Sequence, residues 1–322
     1  MKARLGSAPL PPHSAPSVLP VFIRALLLLL VSGGLPAPAL HAQCSDCVGV
    51  EVAFQSFTSR EAGGTSPSGE RPRAQAGDVT AVAVPTGADE LRMADARRRR
   101  LHPSSTINTP TAFGPQWGQV YVGGSYQHRI RYSGWHDGIL AVGVGLGNPE
   151  RTVGLAATVS VLDTYTEFGK DRSLSMKLHR WLPRRSAVAL GYENLWHTRG
   201  TDGGDSRYGV FSTVLPLRAG LDTPLGALVV SVGLGDDRFL PEERFAEGDS
   251  GTGVFGSVGL RLARSTNAIV NWSGQDLNAG LSIVPHPRLP IVVTPAVLDL
   301  TGRAGDGARF AVSAAVGYDF RR

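Results

Sequence analysis

The chain has 322 residues, enough for two ordinary domains or one large β domain, and it is rich in glycine (40) and lean in charge (18%). Its net charge of +5 is mild, and much of it sits in the single run Arg97 to Arg100, so the broad basic face that nucleic-acid binding requires is missing.

The first element is "VFIRALLLLLVSGGLPAPALHAQC". Arg24 precedes an apolar run from Ala25 to Val31, and helix breakers and small residues follow up to Ala42. This order predicts a secretory signal peptide over residues 1–42, because the apolar run is too short to span a membrane. Cys44 and Cys47, the only cysteines, come next in "QCSDC". Gln43 stands where a lipoprotein signal wants a small residue, and the strand-like "VGVEVAF" follows where a thioredoxin-type pair wants a helix. In an exported, oxidising setting the pair is expected to form a disulfide. From Gln55 to about Pro115 the composition turns to Gly, Pro, Ser, Ala and charge, which cannot build a core of its own. Residues 43–113 are therefore expected to be a periplasmic segment and disordered linker. Its Arg97 to Arg100 run is read as a solvated segment, with lipopolysaccharide phosphates as the alternative contact.

From Trp117 onward no helical period is sustained, and roughly twelve strand-length segments alternate with turn signals. Successive residues of a strand face opposite ways. In the last segment Phe310, Val312, Ala314, Val316, Tyr318 and Phe320 share one face, against Ala311, Ser313, Ala315, Gly317 and Asp319. The same division recurs in 173–179, 228–235, 253–262 and 276–283. A soluble sandwich carries Lys, Glu and Thr in quantity on its outer face. Here the second face is Gly, Ala, Ser and Asn, which suits a barrel with bulky residues toward lipid and small polar ones toward a lumen. Such a sheet must close, because an open edge in hydrocarbon leaves backbone groups unpaired. Connections alternate in length: "NPE", "PRR" and "RST" are short, while "HTRGTDGGDS" and "DDRFLPEERFAEGDS" are long. Trp117, Tyr132, Trp135, Trp181, Trp196, Tyr208, Tyr318 and Phe320 lie near strand ends, as interfacial girdles require. The fold expected for 114–322 is thus all-β, a transmembrane antiparallel up-and-down β-barrel of roughly 12 strands with both termini periplasmic.

The closing segment "FAVSAAVGYDF" resembles the terminal strand of outer-membrane proteins that the barrel-assembly machinery recognises, with Phe310, Tyr318 and Phe320 in the signal. Over about residues 106–320 the chain also resembles a set of uncharacterised, porin-like bacterial outer-membrane β-barrel proteins. "NWSGQDLNAGLSIVP" is the most specific part of that likeness. The resemblance implies an outer-membrane location among lipid and lipopolysaccharide, and it implies no particular activity.

Several strings imitate chemistry without its context. Gly248 to Gly251 spell a serine-protease nucleophile but lack a His base and orienting Asp. "GVGLGNP" imitates a dinucleotide fingerprint yet leads into a turn rather than a helix. His179 and Ser175 are two strand steps apart, too far for a hydrolase pair. The acidic loop from Asp236 to Asp249 matches no EF-hand spacing. No enzyme, cofactor or metal is expected. The register points Arg129, Lys177, His179, Glu193, Arg261 and Asp276 into the lumen. Such rings set ion preference, so the sequence favours a small porin-like channel with weak anion preference. The alternatives are a non-conducting structural or adhesive barrel displaying its loops and, more weakly, an envelope lipid hydrolase.

Overall fold

The computed structural model describes residues 48–52, 82–86, 102–132, 134–162, 164, 168–198, 204–286 and 291–321. The expected signal peptide, the Cys44/Cys47 pair and the Arg97 to Arg100 run lie outside these described residues. Two short strands, β1 (Val48–Val52) and β2 (Val82–Thr86), form a separate antiparallel pair. The remaining strands are β3 (Gln119–Gln127), β4 (Asp137–Gly147), β5 (Gly154–Val161), β6 (Arg172–Leu182), β7 (Ser186–His197) and β8 (Ser206–Pro216). They continue as β9 (Ala227–Gly235), β10 (Gly253–Ala263), β11 (Thr266–Trp272), β12 (Leu277–Ile283), β13 (Ile291–Leu298) and β14 (Arg309–Asp319).

These twelve strands form one closed antiparallel barrel in which each strand pairs with its sequence neighbours. The ring closes where β14 meets β3, in register from Ala311 opposite Gln127 to Asp319 opposite Gln119. Closure leaves the barrel no sheet edge. One irregularity bends β7. Its pairing with β6 slips between Leu174 and Met176, and Asn194 takes a left-handed backbone, φ 52°. The start of β3 and the end of β14 share one end of the barrel, here the near end. The connections β4–β5, β6–β7, β8–β9, β10–β11 and β12–β13 start and end there. The far end takes the others, including the long described loop 236–252 between β9 and β10.

The two-residue alternation decides which side is which. Val122, Val142, Val159, Val232, Val254 and Val270 project outward from strands around the ring and are about half exposed. Their small or polar neighbours Ala141, Ser160, Ser231, Ser257, Asn271 and Ser313 are buried inside. The usual arrangement is inverted, with the large apolar face outside. Among the described residues no helix is long and apolar enough to cross a membrane, which does not bear on strands. Trp117, Tyr132, Trp135, Trp196, Tyr318 and Phe320 are exposed near strand ends, and Trp117 meets Phe320 edge-on at 6.2 Å. Trp181 and Tyr208 depart from the expected girdle. Both point inward and belong to a buried cluster with Phe113, Phe239 and Phe255.

The largest departure concerns residues 102–116, whose composition reads as linker. All but His102 and Ser105, which are half-buried, are buried inside the barrel. Ile107, Asn108, Thr109 and Ala112 are wholly inaccessible. A polar, proline-containing stretch cannot form a core alone. It can be buried where a surrounding wall supplies a partner for each peptide group it brings.

Candidate functional site: an occupied lumen

The path of this segment is fixed by side chains projecting inward from the strands. His102 begins beside Asp222 of a near-end connection, 3.6 Å away. Asn267 Nδ2 donates to the Pro103 and Ser104 carbonyls at 3.0 and 2.8 Å, and the Ser104 amide donates to Ser282 Oγ at 2.7 Å. Ser105 packs on Gly259, where a side-chain Cβ would lie 2.9 Å from it. The chain climbs to Asn108 and Thr109, which meet Asn271 and Asn278 at the far ends of β11 and β12. It then reverses. The Ala112 amide donates to Ser212 Oγ at 2.8 Å, and Trp117 returns to the near end with its amide on the Gly147 carbonyl. The segment is a hairpin pushed into the lumen from the near end, with its tip at Asn108–Thr109. Two apolar side chains anchor it. Ile107 clusters with Ile269, Ala296, Leu298 and Ala311, and Phe113 with Trp181, Ala187, Ala189, Tyr208 and Val210.

The six residues expected in the lumen divide by position. Lys177 projects inward from β6, and its ammonium donates to the Thr111 and Phe113 carbonyls at 3.1 and 2.8 Å. His179, two residues on, is fully buried between Gly114 of the hairpin and Gly154 of β5. A Cβ at either glycine would lie within 2.7 Å of the ring. Ser175, too far along the strand to pair with His179, accepts the Asn194 backbone amide at 3.1 Å. Arg261 is buried at the near end of β10 and donates to the Arg264 carbonyl. Glu193 is buried at the far end of β7. Asp276 sits just before β12 rather than on it, with its carboxylate turned in and wholly buried. Arg129 does not line the lumen. It lies beyond the end of β3, where it pairs with Asp306 at 2.5 Å and donates to the Gly307 carbonyl at 2.8 Å.

The far end is closed as well. Loop 236–252, which the sequence places outside the barrel, folds inward through a 3-10 turn at Asp237–Phe239 before the short helix α1 (Glu242–Ala246). Phe239 stacks on Phe255 at 4.3 Å and meets Tyr208 edge-on at 5.8 Å. Gly274, at φ 105°, lets its chain pass the Phe239 carbonyl, where a Cβ would collide at 2.1 Å. Arg238 grips Glu193 with two guanidinium nitrogens, Nη2 at 2.8 Å, and lays its plane over the Phe239 ring. Its Nη1 reaches the hairpin tip at the Asn108 carbonyl, 3.1 Å away. Beside it, Asp276 accepts from Arg131 at 2.6 Å and Arg309 at 3.1 Å, and Arg131 also bonds Glu242 and Gln275. Buried ion pairs of this kind cost about as much desolvation as they return, but losing one partner is severe. They fix where the loops sit.

Arg131, Arg238, Arg309 and the hairpin were not singled out in the sequence. One signal was present: Trp181, Tyr208 and Phe255 are large residues on the face that otherwise holds small ones. Phe239 and Leu240 within an acidic loop were another. The class defined by fold and site is a closed twelve-stranded antiparallel β-barrel filled by its own chain. No family model matches the chain, and no curated protein is similar to it.

Proposed function

We propose that the protein is an outer-membrane β-barrel that is closed at rest, a non-conducting structural barrel with the far-end loops outside the cell and the near end toward the periplasm. The filled lumen carries this reading. Lys177, one of the inward cations expected to favour anions, spends its ammonium on hairpin carbonyls, and the far end is crossed by the Arg238–Glu193 and Asp276 clusters. The membrane setting is supported by the inverted faces and by the absence of an edge. From Phe310 to Phe320 the outward face of β14 runs ten residues, which at about 3.3 Å per residue and a tilt near 40° spans roughly 25 Å, the height of a barrel's apolar band.

Single-channel recording of the full exported chain in planar bilayers tests the proposal. The expected outcome is a barrel that inserts, shows heat-shifted mobility on gels, and gives no conductance steps. Stable steps with an anion-favouring reversal potential would restore the open-channel reading, in which the hairpin vacates the lumen.

A further inference from the structure

The tip of the hairpin carries an arrangement that sealing alone does not require. Asn108 is wholly buried, and its amide orientation is determined by a chain of donors. The Asp299 amide donates to Asn278 Oδ1 at 2.9 Å, so Asn278 presents its Nδ2 to Asn108 and donates to Asn108 Oδ1 at 3.2 Å. Asn108 Nδ2 is thereby the opposite terminus, and it is buried with no hydrogen-bond partner among the described residues. A buried amide nitrogen left bare beside so many bonded groups calls for an explanation. The backbone carbonyl of the same residue accepts from Arg238 Nη1 at 3.1 Å. On either side the chain is clamped by Asn271, whose Oδ1 accepts the Asn108 amide and whose Nδ2 donates to Thr109 Oγ1 at 2.6 Å.

We infer that Asn108 cleaves its own peptide bond to Thr109 by cyclising. Nδ2 attacks the Asn108 carbonyl carbon and closes a five-membered succinimide. The bond from that carbon to the Thr109 nitrogen breaks, and its electron pair stays on that nitrogen. The proton released by Nδ2 goes to the departing nitrogen, which becomes a free α-amine. Atoms balance without water, oxidant or cofactor. Arg238 stabilises the oxyanion of the tetrahedral intermediate, and Asn278 stabilises the negative charge that gathers on Oδ1 as Nδ2 loses its proton. The clamp on both flanking groups supplies the orientation an intramolecular attack needs. The cut falls where the hairpin turns back. The arm held by Asn267 and Ser282 gains a loose end in the lumen, while the arm from Thr109 onward remains joined to β3. The inference depends on the hairpin geometry and not on the membrane setting.

The test is intact-mass spectrometry of the full chain, folded in detergent and incubated at neutral pH, beside a sample kept unfolded in urea. The folded sample is expected to yield two fragments whose masses sum to that of the uncut chain. One begins at Thr109, and the other ends at residue 108, lighter by one water than a hydrolytic product. Asn108→Asp, which keeps the shape but lacks the attacking nitrogen, is expected to stay whole. Arg238→Lys, which keeps a cation beside Glu193, is expected to slow cleavage about 100-fold, the usual loss for an oxyanion donor. Heat-shifted gel mobility shows that each variant is folded. The inference is overturned by a folded wild-type chain that remains whole. It is equally overturned by deamidation without cleavage, by cleavage that persists in Asn108→Asp, or by equal cleavage in urea.

Discussion

Val142→Arg puts the membrane reading at risk most directly. Val142 is the central residue of β4, points outward and is 53% exposed, whereas Leu146 lies on the same face four residues nearer the end of the strand. Four residues at about 3.3 Å, corrected for a tilt near 40°, separate them in depth by roughly 10 Å. If the outer face meets hydrocarbon, an arginine at the midplane costs about 2–4 kcal/mol and one near the interface about 0–1 kcal/mol. If it meets water, both are ordinary surface changes within about 0.5 kcal/mol. The expected result is therefore a loss near 3 kcal/mol for Val142→Arg and less than about 1 kcal/mol for Leu146→Arg. Reversible urea unfolding in phosphocholine vesicles, followed by tryptophan fluorescence, measures both. Two neutral substitutions, or a penalty that does not depend on depth, would refute the argument.

Three further outcomes follow from the lumen and its cap. Lys177→Ala leaves the Thr111 and Phe113 carbonyls without their donor. Amide hydrogen exchange across 110–116 should accelerate by the equivalent of about 2 kcal/mol while exchange in the strands is unchanged. Asp276→Asn strips the charge from between Arg131 and Arg309 and should cost about 3–5 kcal/mol in thermal or urea unfolding. In the exposed part of loop 236–252, the Arg244 guanidinium bonded to Asp249 holds that carboxyl below the ordinary aspartate range. The pairing is present above that range and is lost as pH falls through the lowered value. An NMR pH titration should therefore place its midpoint below that of a free aspartate, and Arg244→Gln should return it upward.

The wall was legible in the sequence and its contents were not, for one physical reason. A strand writes its two faces into alternate letters, so residues such as Leu174, Met176 and Leu178 against Lys177 and His179 declared both the element and its orientation. The hairpin follows no period, because many of its polar groups are matched by partners 64 to 170 positions away, Lys177, Asn267, Asn271 and Asn278 among them. Composition described residues 102–116 correctly as unable to form a core and was silent about a core made elsewhere. Asp276 was expected in the lumen as one of a ring of charges, and its carboxylate is held between two arginines, Arg131 and Arg309, that the sequence did not single out.

The hairpin's two arms both leave through the near end. Among the described residues the inserted loop therefore enters and leaves by the same end of the ring. The barrel can close first and take up the loop afterwards, or fold around a loop already in place. In a chain not yet cut at Asn108, a pull on the upstream arm at residue 102 would draw that arm and then the tip back along the barrel axis. The interactions would break in sequence, Asn267 before Asn271 and Asn271 before Lys177, and the β14–β3 seam would not have to part. Mechanically, the lumen is secured in series while the wall is secured in parallel, so a modest force can empty the one without opening the other.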